Sequence, residues 1–301
     1  MNKYITISIR LLIALFFIVS SILKLISIDS FEVYIYSFNL LSLSSAFLFA
    51  RIIIGFELLL GILFLLNIYI KQVAIVTIAM LLSFIFFLFY LILAQNTESC
   101  HCFGDFLDIS HTSSIIKNIV IGGFVFVIYK NNSPYSYKYK KKAVTLSLIS
   151  CMSIPFLISP PDTMNLLGYA NKSTYNENAL QEFFDIKAPR KGKQVVCFYG
   201  TGCRFCKLSS KKITVIANKA AENKSSISLI FWGDKKNVEE FFVETNSTKF
   251  PYEIIDVSQF LRITDGKMPV IFLLENGIVK KQYGYRDLNE EEILDFLTSI
   301  N

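Results

Sequence analysis

Long apolar runs dominate the first half of the chain, and shorter apolar runs alternate with polar segments in the second half. Five of the long runs approach the roughly 20 residues that a helix needs to cross a bilayer; they cover residues 8–28, 46–69, 73–94, 113–130 and 143–159. The last run is short, and Pro160-Pro161 ends it. The first run lacks a small-residue cleavage pattern and has Leu23-Lys24-Leu25 after its core, which favours an uncleaved span over a signal peptide.

Lysines and arginines predict how these spans are oriented. Lys3 and Arg10 lie at the start of the first span, and Lys71 lies between spans two and three. Five lysines lie between spans four and five, within residues 130–142. Segments rich in cations stay in the cytoplasm. The alternate segments, 29–45 and 95–112, carry acids and no lysine or arginine. With five spans, the segment 95–112 and the C-terminal domain should both lie outside the cytoplasm.

The second half has the pattern of an α/β domain. Short apolar and β-branched runs predict strands, and the stretches between them are compatible with helices. The predicted strands are 194–199, 227–232, 269–274 and 278–283; the predicted helices run from the cysteine motif to about 222, over 237–244, and from Asn289 to about 299. The turn Glu275-Asn-Gly277 joins the last two strands into a hairpin. Residues 160–178 are interpreted as a linker.

Composition agrees with this division. The mean hydropathy is +0.47, and only 18% of the residues are charged, few of them before position 130. The net charge of +6 could indicate nucleic-acid binding, but the most compact basic cluster, Lys138 and Lys140 to Lys142, precedes an apolar run. Such a cluster is typical of a cytoplasmic topology signal. We therefore expect no nucleic-acid partner.

Four of the six cysteines form two close pairs, Cys100/Cys102 and Cys203/Cys206. Close pairs indicate redox exchange or metal binding more often than a structural disulfide. Both histidines, His101 and His111, fall near the first pair, so a zinc or copper site is an alternative there. Adjacent Cys-His-Cys positions cannot easily all point at one ion, and no metal site is therefore predicted.

The second pair follows a predicted strand and opens a predicted helix. A thiolate at a helix N-terminus is stabilised by unpaired N–H groups and the helix dipole, which lower its pKa. Arg204 and Lys207 add positive charge, and Cys206 lies one turn deeper, where it can close a disulfide with Cys203. A structural disulfide or half of a zinc site is the alternative, but this domain has no histidine or second cysteine pair to complete a zinc tetrahedron.

With Met268-Pro269 in the right order, residues 180–301 resemble the thioredoxin family. The resemblance implies that Cys203 is the attacking thiol, that Cys206 is the resolving thiol, and that Pro269 is the family's cis-proline, which with Met268 shapes the substrate-binding edge.

Two positions depart from the thioredoxin pattern. Gly202 replaces the usual tryptophan, and Cys197 stands where a buried acid usually lies. Cys197 is either an inert core thiol or a third redox partner. Cys151, alone in the fifth span, is interpreted as a buried inert thiol.

The segment Cys100-His-Cys-Phe-Gly-Asp105 lies just past the third span. Together with residues in three of the spans, it resembles the MauE/DoxX-like membrane family over about residues 5–130; those residues are Arg10, Ser21, Lys24, Gly55, Glu57, Gly61 and Asn118. The resemblance implies a role in, or beside, disulfide formation in exported proteins. A Cys-x-Cys disulfide is small and strained, which raises its reduction potential, and quinone is a candidate acceptor.

Charges within the spans call for a partner or a function. Lys24 and Glu57 could pair, Arg51 is an alternative partner for Glu57, and Lys24 and Arg51 could instead extend to the headgroups. Lys24, Glu57, His101 and Arg204 are candidate modulators of the exchange chemistry.

These expectations define one hypothesis and its alternatives. The chain combines a membrane α-helical bundle of about five spans, with a four-helix MauE/DoxX-like core (residues 1–135), a fifth helix and linker (136–178), and an α/β thioredoxin-like soluble domain (179–301). It is expected to be a thiol–disulfide oxidoreductase of a bacterial inner membrane with its C-terminal domain in the periplasm. Cys203/Cys206 would exchange disulfides with exported client proteins and pass electrons to Cys100/Cys102. Membrane lipid is an expected partner, and no covalently bound cofactor is expected. The alternatives are a membrane-anchored thioredoxin-like reductase and a metal-handling membrane protein.

Overall fold

The computed structural model describes residues 3–94, 110–131, 138–160, 175–187, 192–220 and 226–299. It divides into two compact units. The first comprises Met1–Tyr34 with Phe47–Pro160, and the second comprises Ile35–Ala46 with Pro161–Asn301.

The first unit is built from long apolar helices. Five of them, within the described residues, are long and apolar enough to cross a membrane: α1 (Lys3–Ile26), α3 (Leu43–Leu66), α4 (Ile70–Leu93), α5 (His111–Asn131) and α6 (Lys140–Ile158). The five predicted spans are confirmed, and the protein is a multi-pass membrane protein. A further helix, α2 (Ile28–Ser37), lies where only a connecting segment was expected. Its 10 residues are shorter than a bilayer requires.

Two glycines bring helices of the membrane unit close together. A Cβ on Gly61 would lie 2.8 Å from Cγ1 of Ile18 and 3.1 Å from the carbonyl oxygen of Ala14, both on α1. A Cβ on Gly55 would lie 2.8 Å from the carbonyl oxygen of Cys151 on α6. Small residues permit such approaches between membrane helices. The apolar core around these contacts includes Phe17 and Phe64, whose rings are stacked at 6.4 Å.

Arg51 is buried and does not extend to the headgroups. Its Nη1 donates to Glu32 Oε1 and, at 2.7 Å, to the carbonyl oxygen of Phe47, while its Nε donates at 2.8 Å to the carbonyl oxygen of Ser159. The headgroup interpretation of Arg51 was therefore wrong, and so was its pairing with Glu57. A buried guanidinium needs an anion and hydrogen-bond acceptors, and Glu32 on α2 supplies the anion.

The second unit is a five-stranded mixed sheet flanked by helices. The strands are β1 (Lys193–Gly200), β2 (Ile227–Trp232), β3 (Tyr252–Ile255), β4 (Val270–Glu275) and β5 (Ile278–Tyr283), arranged in the order β3-β2-β1-β4-β5. β2 is parallel to β1 and to β3, whereas β4 is antiparallel to both β1 and β5. The predicted α/β thioredoxin-like fold is confirmed by this sheet, with the predicted hairpin at its β4–β5 edge.

In the part of this unit that the structure describes, five helices accompany the sheet: α7 (Glu177–Lys187), α8 (Arg204–Lys219), α9 (Lys235–Thr245), α10 (Val257–Thr264) and α11 (Glu290–Thr298). The predicted Asn289 cap is present, since its side chain accepts from the N–H of Glu292 at 3.3 Å. Helices α7 and α10 and strand β3 were not predicted. Asp256 caps α10 in the same way, accepting from the N–H of Ser258 at 2.8 Å.

The core of this unit is rich in aromatic side chains. On one face of the sheet, the ring of Phe198 lies 5.8 Å from that of Phe260 and 5.6 Å from that of Phe272. On the other face, Tyr199 and Phe231 pack around Phe241. Aromatic pairs in such geometries stabilise a core beyond their buried area. Strand β1, which leads to the cysteine pair, is therefore held rigidly between two packed layers.

Candidate active site

Cys203 and Cys206 lie where β1 passes into α8, as predicted. Cys203 is the N-cap of α8, with extended backbone angles, and its Sγ accepts from the backbone N–H of Cys206 at 3.2 Å. Cys206 is fully buried, and its Sγ accepts from the backbone N–H of Gly200 at 3.4 Å. Both are free thiols. The first sulfur is therefore partly accessible at a helix end, and the second lies beneath it.

The two thiols have opposite acidities. A hydrogen bond from Cys206 to the Cys203 sulfur lowers the pKa of Cys203 to about 7; the backbone N–H groups of Cys206 and Phe205 and the charge of Lys207 also lower it, against the effect of burial. Burial raises the pKa of Cys206 far above its ordinary value, and its bond to Cys203 acts in the same direction. With a pKa of about 7, Cys203 is about half thiolate near neutral pH and can act as a nucleophile, while Cys206 stays protonated as its hydrogen-bond donor.

Met268 lies near Cys203 at the end of β1, and Pro269 follows it in the chain. The Met268–Pro269 peptide bond is cis, in agreement with the resemblance. A Cβ on Gly200 would lie 2.9 Å from the Met268 sulfur and 3.6 Å from both the Cys203 Cβ and the Trp232 Nε1. Met268 and Cys203 therefore meet over the end of β1, at a position where glycine leaves room for both. The close packing at Gly200 was not foreseen from the sequence.

Cys197 is fully buried in β1. Burial raises the pKa of Cys197 to about 12, and the nearby Tyr199 hydroxyl acts in the opposite direction. Burial likewise raises the pKa of Tyr199 well above its ordinary value, and the neighbouring Cys197, Cys206 and Cys203 add to this effect. Two neutral groups therefore lie under the dithiol, in place of the acid that the thioredoxin pattern has at position 197.

The charged residues of the motif differ in their surroundings. Arg204 is exposed at the start of α8. Lys207 forms an ion pair with Glu244, and both side chains are partly exposed. The positive charge of Lys207 acts on Cys203, as the sequence predicted.

One further group beside the motif has no signal in the sequence. The ring of Phe205, between the two cysteines, lies 4.9 Å from that of Tyr285, and the guanidinium carbon of Arg286 is 6.0 Å from the Phe205 ring. These residues are 80 positions apart in the chain, and only the fold brings them together.

In the membrane unit, the predicted pair of Lys24 and Glu57 is confirmed, at 2.5 Å. Ser20 joins it, donating to Glu57 at 3.3 Å and accepting from Lys24 at 3.4 Å. Lys24 is buried, so its headgroup interpretation was wrong. Asn118 and Cys151 are also buried in this unit.

Cys100, His101 and Cys102 lie outside the described residues. The predicted role of the Cys-x-Cys pair and the alternative of a metal there therefore stay predictions. His111, the fourth member of the metal alternative, is buried at the start of α5. Within the described part of the chain, no group of three or more candidate metal ligands occurs.

Comparisons with known proteins cover both halves. Residues 2–130 match the family model described as methylamine utilisation protein MauE. The chain is 27% identical to Protein TlpB of Flavobacterium psychrophilum, in an alignment that covers 100% of this chain and 96% of that protein.

Solved structures are similar to the C-terminal part. A secreted Mycobacterium tuberculosis disulfide oxidoreductase homologous to E. coli DsbE aligns at 12% identity and a TM-score of 0.32, over 41% of this chain and 99% of that one. StoA from Bacillus subtilis aligns at 20% identity and a TM-score of 0.28, over 36% and 84%. At these scores the similarity carries no functional conclusion. The resemblance of residues 2–130 to the MauE family is confirmed by the family model, and the soluble unit joins this segment to a thioredoxin-like fold.

Proposed function

We propose that the protein is a membrane-anchored thiol–disulfide oxidoreductase that acts on exported proteins. The observation that carries this proposal is the pairing of an accessible, acidic Cys203 with a buried, protonated Cys206 one turn deeper. In the oxidative direction, a client thiolate attacks Cys203 and releases the Cys206 thiolate. A second client thiol then displaces Cys203, so the client gains a disulfide and the domain becomes a dithiol.

The dithiol must then be reoxidised. In this proposal its two electrons and two protons pass by disulfide exchange to Cys100/Cys102, and from there to quinone, which becomes quinol. The lowered pKa of Cys203 makes it the nucleophile for disulfide exchange in either direction. Five spanning helices and a cytoplasmic N-terminus would place both cysteine pairs on the periplasmic side of a bacterial inner membrane.

Trapping tests the exchange. A Cys206→Ala variant cannot resolve mixed disulfides, so the full-length protein in its native membrane should accumulate reductant-sensitive adducts through Cys203. The adducts should include exported proteins and an internal adduct with Cys100 or Cys102. The matched control is the Cys203→Ala/Cys206→Ala variant, which should form neither. If Cys206→Ala captured neither kind of partner, the bundle would be an anchor or a metal-handling protein and the proposal would fail.

Depletion of the respiratory quinone pool tests the acceptor. Both cysteine pairs should then accumulate as dithiols, as judged by thiol labelling of the full-length protein. Unchanged redox states of both cysteine pairs would show that quinone is not the acceptor. The reduction potentials of the two pairs should be measured as well. If they favoured electron flow from Cys100/Cys102 to Cys203/Cys206 and on to clients, the protein would be the reductase of the alternative hypothesis.

A further inference from the structure

Two hydroxyl groups are buried in the soluble unit, on the strand and the helix that carry the dithiol. Tyr199 on β1 and Ser209 on α8 are both completely buried. Within the described part of the chain, neither hydroxyl oxygen has a hydrogen-bond partner. An unpaired hydroxyl in a protein interior lowers stability, and most such groups are paired in native structures. These two hydroxyls therefore call for a function.

Both side chains belong to the surroundings of Cys206. Cys206 and Ser209 are buried on α8 at a spacing of three residues, so the Ser209 side chain lies one turn below the thiol on the same face of the helix. The Cys206 sulfur accepts at 3.4 Å from the backbone N–H of Gly200, the residue that follows Tyr199. The Tyr199 hydroxyl is within electrostatic range of both Cys206 and Cys203.

Cys206 has to lose its proton before it can resolve a mixed disulfide, because the thiolate is the nucleophile. Burial raises the pKa of Cys206 far above its ordinary value, so its proton needs an acceptor within the interior. The titratable groups that the structure places around the dithiol are Cys203 and Lys207 on α8, Cys197 and Tyr199 on β1, and Glu244 on α9, which pairs with Lys207. Tyr199 is the buried hydroxyl among them, and Ser209 adds a second.

We propose that Tyr199 and Ser209 form a proton route for Cys206, in which their hydroxyl groups hold one internal water molecule beside the Cys206 sulfur. Buried water molecules typically bridge about three polar groups. This inference rests on the proposed function and gives the two hydroxyls the place of the buried acid in the thioredoxin pattern.

The route acts when Cys203 is in a mixed disulfide with a partner. The Cys206 proton passes to the water, and the Cys206 thiolate attacks the Cys203 sulfur. The Cys203–Cys206 bond forms, the bond from Cys203 to the partner breaks, and the partner sulfur takes up the proton and leaves as a thiol. When a client thiolate opens the Cys203–Cys206 disulfide, the same route returns a proton to the Cys206 thiolate.

A symmetric aryl disulfide with a coloured thiolate separates the two steps. The reduced full-length protein in detergent, with Cys100 and Cys102 changed to alanine, is mixed rapidly with one equivalent of this reagent. Cys203 attacks and releases the first aryl thiolate, at a rate that depends on reagent concentration. Cys206 then displaces the second aryl thiolate, at a rate that does not. The absorbance of the aryl thiolate reports both phases.

Tyr199→Phe keeps the ring that packs against Phe231 and Phe241 and removes only the hydroxyl. It should slow the second phase about tenfold, less than the roughly 100-fold that a complete acid–base group contributes, because Ser209 remains. The pH dependence of the second phase should also move to higher pH, since solvent hydroxide then has to take the proton. The first phase, which needs only the Cys203 thiolate, should not change.

Variants of two neighbouring serines provide the matched comparison. Ser209→Ala should slow the second phase about threefold, on the order of the loss of one weak hydrogen bond, and Ser209→Thr, which keeps a hydroxyl, should retain most of the rate. Ser210→Ala is the control. The Ser210 side chain is also buried, but its hydroxyl bonds to that of Ser247 at 2.9 Å, so both phases should stay as they are.

The two phases distinguish this inference from the proposed function. A second phase that is unchanged in both Tyr199→Phe and Ser209→Ala would overturn the proton route while leaving thiol exchange intact. Equal slowing by Ser209→Ala and Ser209→Thr would also overturn it, because packing rather than the hydroxyl would then be responsible. If Tyr199→Phe slowed both phases, it would have disturbed the fold, and the Ser209 variants would decide. If the unsubstituted dithiol released no aryl thiolate, the proposed function would fail as well.

Discussion

Ion pairs of the membrane unit and of the soluble unit differ in their burial, and two arginine–glutamate pairs show this difference. In the membrane unit, the Arg51 and Glu32 side chains are 1% and 2% exposed, and two backbone carbonyls complete the coordination of the guanidinium. In the soluble unit, Arg262 and Glu182 are 52% and 56% exposed. Solvent screens the second pair but cannot reach the first. An arginine–glutamate pair should therefore contribute strongly to the stability of the membrane unit and only weakly to that of the soluble unit.

Removing one partner from each pair is the strongest test of this difference. Arg51→Met should destabilise the membrane unit by about 3–5 kcal/mol, because it leaves the Glu32 carboxylate buried without its cation. Arg262→Met should cost less than about 1 kcal/mol. Unfolding of the detergent-solubilised chain gives both values: the fluorescence of the single tryptophan, Trp232 in β2, follows the soluble unit, and the helical circular dichroism that is lost outside this transition follows the membrane unit.

A paired substitution controls for the loss of the arginine itself. Arg51→Met combined with Glu32→Leu removes both charges, and should recover most of the stability that Arg51→Met loses. If the double variant were no more stable than the single one, the lost contacts to the carbonyl oxygens of Phe47 and Ser159 would explain the effect. The comparison between buried and exposed pairs would then fail.

Two glycines of the membrane unit, Gly55 and Gly123, differ in how closely other atoms approach them, and substituting them should have a smaller effect on stability. Gly55→Ala would push a methyl group against the Cys151 carbonyl oxygen and the Met152 backbone, and should cost about 1–3 kcal/mol. Gly123→Ala meets no atom within 4 Å, and should be neutral or stabilising because alanine favours helix. The measurement is the same helical unfolding transition. Equal effects at both positions would show that α3 and α6 do not approach closely at Gly55.

The sequence predicted features that depend on local pattern. Five apolar runs of spanning length predicted the membrane helices, and the order of strand, Cys-x-x-Cys and helix predicted the site around Cys203. Strand β3 was not predicted because it has only four residues and lies at the sheet edge, where its burial does not alternate. Helix α10 has eight residues, too few for its period to stand out.

Apart from the Lys24–Glu57 pair, the features that depend on tertiary contact were not predicted. Glu32 was assigned to an external connection, and its pairing with Arg51 required knowledge that α2 is a helix. The contact of Phe205 with Tyr285 and Arg286 joins segments 80 positions apart. Gly202 was noted from the sequence as a departure from the thioredoxin pattern, and the structure shows open space around it.

The Cys206 hydrogen bond and the Lys207 charge both lower the pKa of Cys203, and removing either should have the smallest free-energy effect of the changes considered. Because its pKa lies at about 7 rather than 9, alkylation of Cys203 by neutral iodoacetamide should rise with pH through a midpoint near 7. The lowered folded-state pKa stabilises the reduced domain fully above about pH 9, and this contribution is lost as pH falls through about 7. The Cys100→Ala/Cys102→Ala background keeps other reactive thiols out of the measurement.

Two substitutions rank the contributions. Cys206→Ala removes the largest one, the hydrogen bond to the thiolate, and should raise the pKa of Cys203 by about 1, as expected for one hydrogen bond to a charged group. Lys207→Gln removes only a partly exposed charge that Glu244 already pairs, and solvent screening should limit its effect to a few tenths. A larger effect for Lys207→Gln would mean that a side-chain charge, rather than the buried partner thiol, makes Cys203 acidic. In that case the soluble unit would rely on charge pairing at its reactive centre, as the membrane unit does at Arg51.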